Sequence, residues 1–103
     1  MPYIKPIDRP KIDIPIGDLS IHLKTWGELN YAITQVVHNF VLDKEDLHGE
    51  DINYEMLAMA AMTFEMAKAE FIRTVVNPYE QKKREENGHI SDLDCGFNME
   101  NEV

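Results

Sequence analysis

Residues 53–76, Asn-Tyr-Glu-Met-Leu-Ala-Met-Ala-Ala-Met-Thr-Phe-Glu-Met-Ala-Lys-Ala-Glu-Phe-Ile-Arg-Thr-Val-Val, constrain the fold most. Asn53 is a good N-cap, and the spacing behind it predicts one long helix to about Val76. Leu57, Ala61, Phe64, Lys68, Phe71 and Val75 fall on one face with only Lys68 interrupting. Met59, Met62, Met66, Ala69, Ile72 and Val76 form a second apolar stripe beside it. A helix apolar over so wide an arc belongs at the centre of a bundle. This chain has few other helices to offer, so the pattern predicts burial against a second copy, most simply as a homodimer. The competing arrangement lays a proline-rich N-terminal arm over the second stripe.

The rest of the chain is read around that helix. With 103 residues, 44% of them hydrophobic, there is material for one small domain and no more. The single cysteine, Cys95, excludes an internal disulfide and a multi-thiolate zinc site, so packing alone must hold the fold. Residues 1–15 hold four of the five prolines, Pro2, Pro6, Pro10 and Pro15, and are expected as an extended arm anchored by Tyr3, Ile4, Ile7, Ile12 and Ile14. From Ile16 to Lys24 a short helix is expected, although partial alternation leaves a strand open. Thr25-Trp26-Gly27-Glu28 matches a capping box and starts the next helix. Leu29, Ile33, Val36, Val37 and Phe40 then mark a buried stripe ending near Leu42.

Asp43 to Asp51 is an acidic connection with Gly49 as its flexible point. Asn77-Pro78-Tyr79-Glu80 reads either as a break with a new helix or as a kinked continuation. Asn87-Gly88 supplies a left-handed stop. The helical domain is therefore expected over 16–88, and 89–103 as an acidic flexible tail in which Cys95 and Phe97 could pin locally. The fold class is all-α: a small helical bundle with one long helix, completed by oligomerisation.

Charge and motifs narrow the function. Nineteen Asp plus Glu against ten Lys plus Arg give a net charge of −9, which disfavours direct nucleic-acid binding. No stretch approaches the roughly 18 apolar residues of a membrane span, and the N-terminus has no apolar leader core, so a cytoplasmic protein is expected. His22, His38, His48 and His89 fall on four segments without ligand spacing, and no metal or cofactor is expected. The acidic run from Asp43 fails as a calcium loop, because its sixth and twelfth positions are His48 and Tyr54. A MazG-like nucleotide pyrophosphatase needs converging Glu-x-x-Glu and Glu-x-x-Asp motifs. Glu28 is committed to a cap, and Glu55, Glu65 and Glu70 have the wrong spacings. No phosphate-binding loop or nucleophile elbow occurs, and a non-enzymatic role follows.

Two polar constellations remain as candidate ligand sites. Asn30, Thr34 and His38 recur every four residues and stack in one column, with Tyr31 one step around. They form either a ligand grip or a hydrogen-bonded seam. Glu65, Lys68 and Arg73 and, farther on, Tyr79 and Lys82 could converge on an anion, with Lys68, Arg73 and Tyr79 as the candidate ligand contacts. Lys68 in an apolar stripe needs a carboxylate partner, from Glu65, Glu70 or another segment, or a snorkelling exit.

The opening Met-Pro-Tyr-Ile-Lys, the block Gly27-Glu28-Leu29-Asn30-Tyr31-Ala32-Ile33-Thr34, and the run from Glu65 through Arg73, Asn77-Pro78-Tyr79-Glu80 and Glu86-Asn87-Gly88 carry a resemblance. Together they resemble a family of small helical proteins of bacteriophages and bacteria for which no activity is established. The resemblance spans residues 1 to about 90 and departs in the acidic tail. It implies a phage or bacterial setting and no catalytic residues. The expected function is therefore a non-catalytic accessory protein that binds a host protein or a small anionic ligand. The alternatives are an acidic nucleic-acid mimic, using the carboxylates of Asp43 to Glu55 and the tail, or a degenerate nucleotide pyrophosphatase.

Overall fold

The computed structural model describes residues 3–96, with side chains through residue 94. Among them there is no strand, and the chain is all-α. The elements are a 3-10 turn at Pro6–Asp8, α1 at Pro10–Ser20, α2 at Trp26–Asp46, α3 at Tyr54–Phe71, a π-helical turn at Ile72–Val76, α4 at Asn77–Asn87 and the short α5 at Asp92–Gly96. Internal contacts divide the chain into two units, Met1–Ala67 and Lys68–Val103, with the boundary inside α3.

The N-terminal segment corrects the expected extended arm. Pro10 occupies the first turn of α1, where a missing amide costs nothing because no intrahelical acceptor exists for it. Ile12 and Asp13 both donate backbone N–H to the Arg9 carbonyl, at 2.9 and 2.8 Å, and the Arg9 Nε–H donates to the Ile4 carbonyl at 3.0 Å. Pro15 lies inside the helix and withdraws one amide from the ladder. The helix tolerates it because its surroundings are solvent, where water can serve the freed carbonyl. Residues Ile16 to Ser20, expected as a separate short helix, are the second half of α1.

The start of α2 forms as its sequence predicts. The Glu28 amide donates to Thr25 Oγ1 at 3.1 Å, and Glu28 Oε1 accepts the Thr25 amide at 2.9 Å. The same oxygen also accepts the Lys24 amide at 2.8 Å. α2 runs four residues past the expected Leu42, to Asp46. It ends where Gly49, at φ 67°, turns the chain and donates to the Glu45 carbonyl at 3.1 Å, a left-handed stop that only glycine adopts without strain. Asn53 then caps α3, its Oδ1 accepting the Met56 amide at 2.9 Å.

At Pro78 the structure takes the continuation. Phe71, Val76 and Asn77 all keep right-handed helical dihedrals, and the Asn77 amide reaches back five residues to the Ile72 carbonyl. A five-residue bond inserts an extra residue into the turn just before the proline, whose ring would clash with the carbonyl four residues earlier in a regular helix. α4 stops at Gly88, φ 88°, whose amide donates to the Arg84 carbonyl at 2.8 Å. Part of the expected flexible tail is ordered: residues 92–96 form α5. The proposed pin at Phe97 and residues 97–103 lie outside the described residues, as does the Cys95 side chain.

The stripe expected to be buried is not. Among the described residues no side chain of either unit is buried. On α2, Leu29, Ile33, Val36 and Phe40 remain 38%, 47%, 58% and 63% exposed. Within the first unit the half-buried positions of α2 and the α3 side are Ala32, Val37, Val41 and Lys44, and Ile52, Met56 and Ala60. Val37, Val41, Lys44, Met56 and Ala60 of these border one groove. Apolar periodicity identifies the face that seeks cover, and this chain by itself does not supply that cover.

Candidate functional site

The concave feature of the first unit is a groove of about 530 Å³ between α2 and the α3 turns nearest the connection. Val36, Val37, Phe40 and Val41 line it from α2, and Met56, Met59, Ala60 and Thr63 line it from α3. The helical repeat sets this lining: Val37 and Val41 are one turn apart, as are Met56 and Ala60, so each helix contributes a short ladder of side chains to the groove. The Thr63 hydroxyl turns back on its own helix and donates to the Met59 carbonyl at 2.8 Å, which removes its proton from the groove's chemistry.

Lys44 and Glu50 are the charged members of the lining. The Lys44 Nζ stands 5.1 Å from the centre of the Phe40 ring, where the ring face attracts a cation. Met56 and Met59 give the α3 side a polarisable, shape-adapting wall. The lining is mostly apolar and offers few polar groups to a small molecule.

The sequence-predicted site residues divide between the two units. Asn30, Tyr31, Thr34 and His38 are exposed on α2. The Thr34 hydroxyl donates to the Asn30 carbonyl at 2.9 Å, so this column is tied together within its own helix. Lys68, Arg73 and Tyr79 belong to the second unit. Arg73 pairs with Glu70, and Lys83 Nζ lies 5.6 Å from the centre of the Tyr79 ring. Lys68 is exposed and forms no ion pair among the described residues, so the cost expected for a buried ammonium does not arise.

Sequence reasoning missed a polar clasp in the second unit. Arg84 Nε donates to His89 Nδ1 at 3.0 Å and lies 3.5 Å from Asp94 Oδ2, while its terminal nitrogens reach Gln81 Oε1, at 3.1 Å, and the Asp94 carbonyl. Asp94 also accepts the Ser91 amide at 3.0 Å and the Ile90 amide at 3.2 Å. These two amides hold the Asp94 carboxyl below its usual range, helped by the charge of Arg84. Ser91-Asp92-Leu93-Asp94 is itself a capping-box pattern, the signal that would have found it. The clasp is structural in kind: each polar group in it is engaged by chain next to it.

Among the described residues no three His, Cys, Asp or Glu side chains are grouped to hold a metal ion. Among the same residues no helix is long and apolar enough to cross a membrane. A small all-α chain with an apolar, methionine-walled groove and uncovered helix faces is thereby defined. The chain belongs to the family described as a domain of unknown function (DUF6899), whose model matches residues 1–90, the span over which the sequence blocks carry their resemblance. No curated protein and no solved structure matches it.

Proposed function

We propose that this chain is a non-catalytic interaction protein, acting in the cytoplasm of a bacterial or phage-infected cell, that binds an apolar helical surface in the α2–α3 groove of its first unit. One observation carries the reading: the helices are formed and capped, yet none of their described side chains is buried. Ordering a residue costs roughly 1.5 kcal/mol of conformational entropy, and in proteins most helical stability comes from packing an apolar face rather than from helix propensity. Apolar burial must offset that cost, and the faces that can provide it still point outward. A protein partner fits the groove better than an anion does, because one lysine beside one glutamate leaves it without net charge.

Amide hydrogen exchange of the full chain tests this. Val36→Asp combined with Met59→Asp should abolish slow exchange in α2 and α3, whereas Gln35→Asp on the opposite face of α2 should leave it intact. Equal protection in all three proteins would refute a binding role for the groove. Purified chain should also turn over no common nucleoside triphosphate with magnesium present, and metal-dependent turnover would refute the non-catalytic assignment.

A further inference from the structure

We infer that the groove of the first unit is filled by a second copy of this chain, the α2–α3 pairs of two protomers closing around one shared apolar core. The inference rests on the interaction reading above and names the partner of that same groove.

Three observations point to a copy of the chain in preference to another protein. First, no described side chain is buried, so cover is needed whenever the chain is folded. A second copy is the one partner present wherever the first is. Second, ridge and groove lie on the same unit. Leu29, Ile33, Val36 and Phe40 step along α2 by four, three and four residues, the spacing of knobs that enter holes on a facing helix. Val36 and Phe40 of this row also line the groove, so the α2 face that carries the knobs borders the holes, with Met56 and Met59 across from it on α3. A two-fold interface requires this self-complementarity, because each patch must serve as both donor and acceptor of the contact. Third, two chains of charge −9 repel each other except through uncharged faces, and this face carries one positive and one negative side chain, Lys44 and Glu50.

The area is adequate. Leu29, Ile33, Val36, Phe40 and Met59 are each between 38% and 64% exposed. Together they present on the order of 500 Å² per copy, so two copies bury about 1,000 Å², the size at which a specific interface begins.

Sedimentation equilibrium of the full chain from about 1 to 100 μM, with circular dichroism on the same samples, decides the matter. A mass of twice 11.9 kDa, or a larger closed assembly, with a melting temperature that rises with concentration supports the inference. Val36→Asp should weaken association at least tenfold while Gln35→Asp leaves it unchanged. The concentration dependence of wild-type melting stands even if the Val36 variant does not fold. A monomer at all concentrations overturns self-pairing, and its circular dichroism then separates the two claims. An unfolded monomer leaves the need for a different partner in place, whereas a cooperatively folded monomer removes the interaction reading as well.

Discussion

Truncating Phe40 to alanine separates an uncovered helix face from a covered one. The ring is 63% exposed in the single chain, and a phenylalanine presents about 200 Å², so roughly 130 Å² awaits burial. At about 25 cal/mol per Å², covering that area contributes about 3 kcal/mol per protomer. If the face stayed in water, Phe40→Ala would cost the ring's attraction for Lys44, about 0.5–1 kcal/mol, and the cover that the single chain already gives it, about 70 Å² or roughly 2 kcal/mol. Urea unfolding followed by circular dichroism at two protein concentrations reads the difference. The covered face predicts a loss of at least about 4 kcal/mol per protomer and a weaker dependence of the midpoint on concentration. A loss of about 2 kcal/mol or less, the same at both concentrations, would refute the claim that Phe40 is buried in the working assembly.

Further outcomes follow from the caps, the clasp and α1. Thr25→Ala should destabilise α2 by about 1 kcal/mol, measured by thermal melting. Amides of Lys24 and Thr25 hold the Glu28 carboxyl below its ordinary 4.5, so its contribution is present above that pH and is lost as pH falls through the lowered folded value. An acid titration of stability should show this loss in the wild type and not in Glu28→Gln. Asp94→Asn should free residues 89–94, seen as faster exchange of the Ile90 and Ser91 amides with the exchange of α2 unchanged. Pro15→Ala should restore one hydrogen bond in α1 and raise helix content, with up to about 3 kcal/mol of local stabilisation; a drop in helicity would contradict the placement of Pro15 inside the helix.

The parts of the fold legible in the sequence are those set by local chemistry. Thr25 with Glu28, Asn53, and Gly88 fix their helix ends through hydrogen bonds or a positive φ within a few residues, and each forms as read. Proline misled because its effect depends on position and surroundings. At Pro10 the missing amide is free of cost, at Pro15 solvent serves the unpaired carbonyl, and before Pro78 a π turn takes up the strain. The clasp of Arg84 on Asp94 joins residues ten apart, and only its Ser91-to-Asp94 half had a local signature. Least legible was burial: the spacing of Leu29, Ile33, Val36 and Phe40 says that they share a face, while what covers that face is a property of the assembly. The groove was missed for the same reason, since it exists only between two helices whose approach no single periodicity encodes.

Oxidation footprinting of Met59 reads directly whether the groove wall is covered. Met59 is 64% exposed in the single chain, so dilute peroxide should reach its sulfur freely if nothing lies over it. In the folded protein at micromolar concentration Met59 should oxidise at least tenfold more slowly than in the unfolded chain, and dilution should restore the fast rate. Oxidation at the unfolded-chain rate while the circular dichroism stays helical and melting stays cooperative would show the groove open.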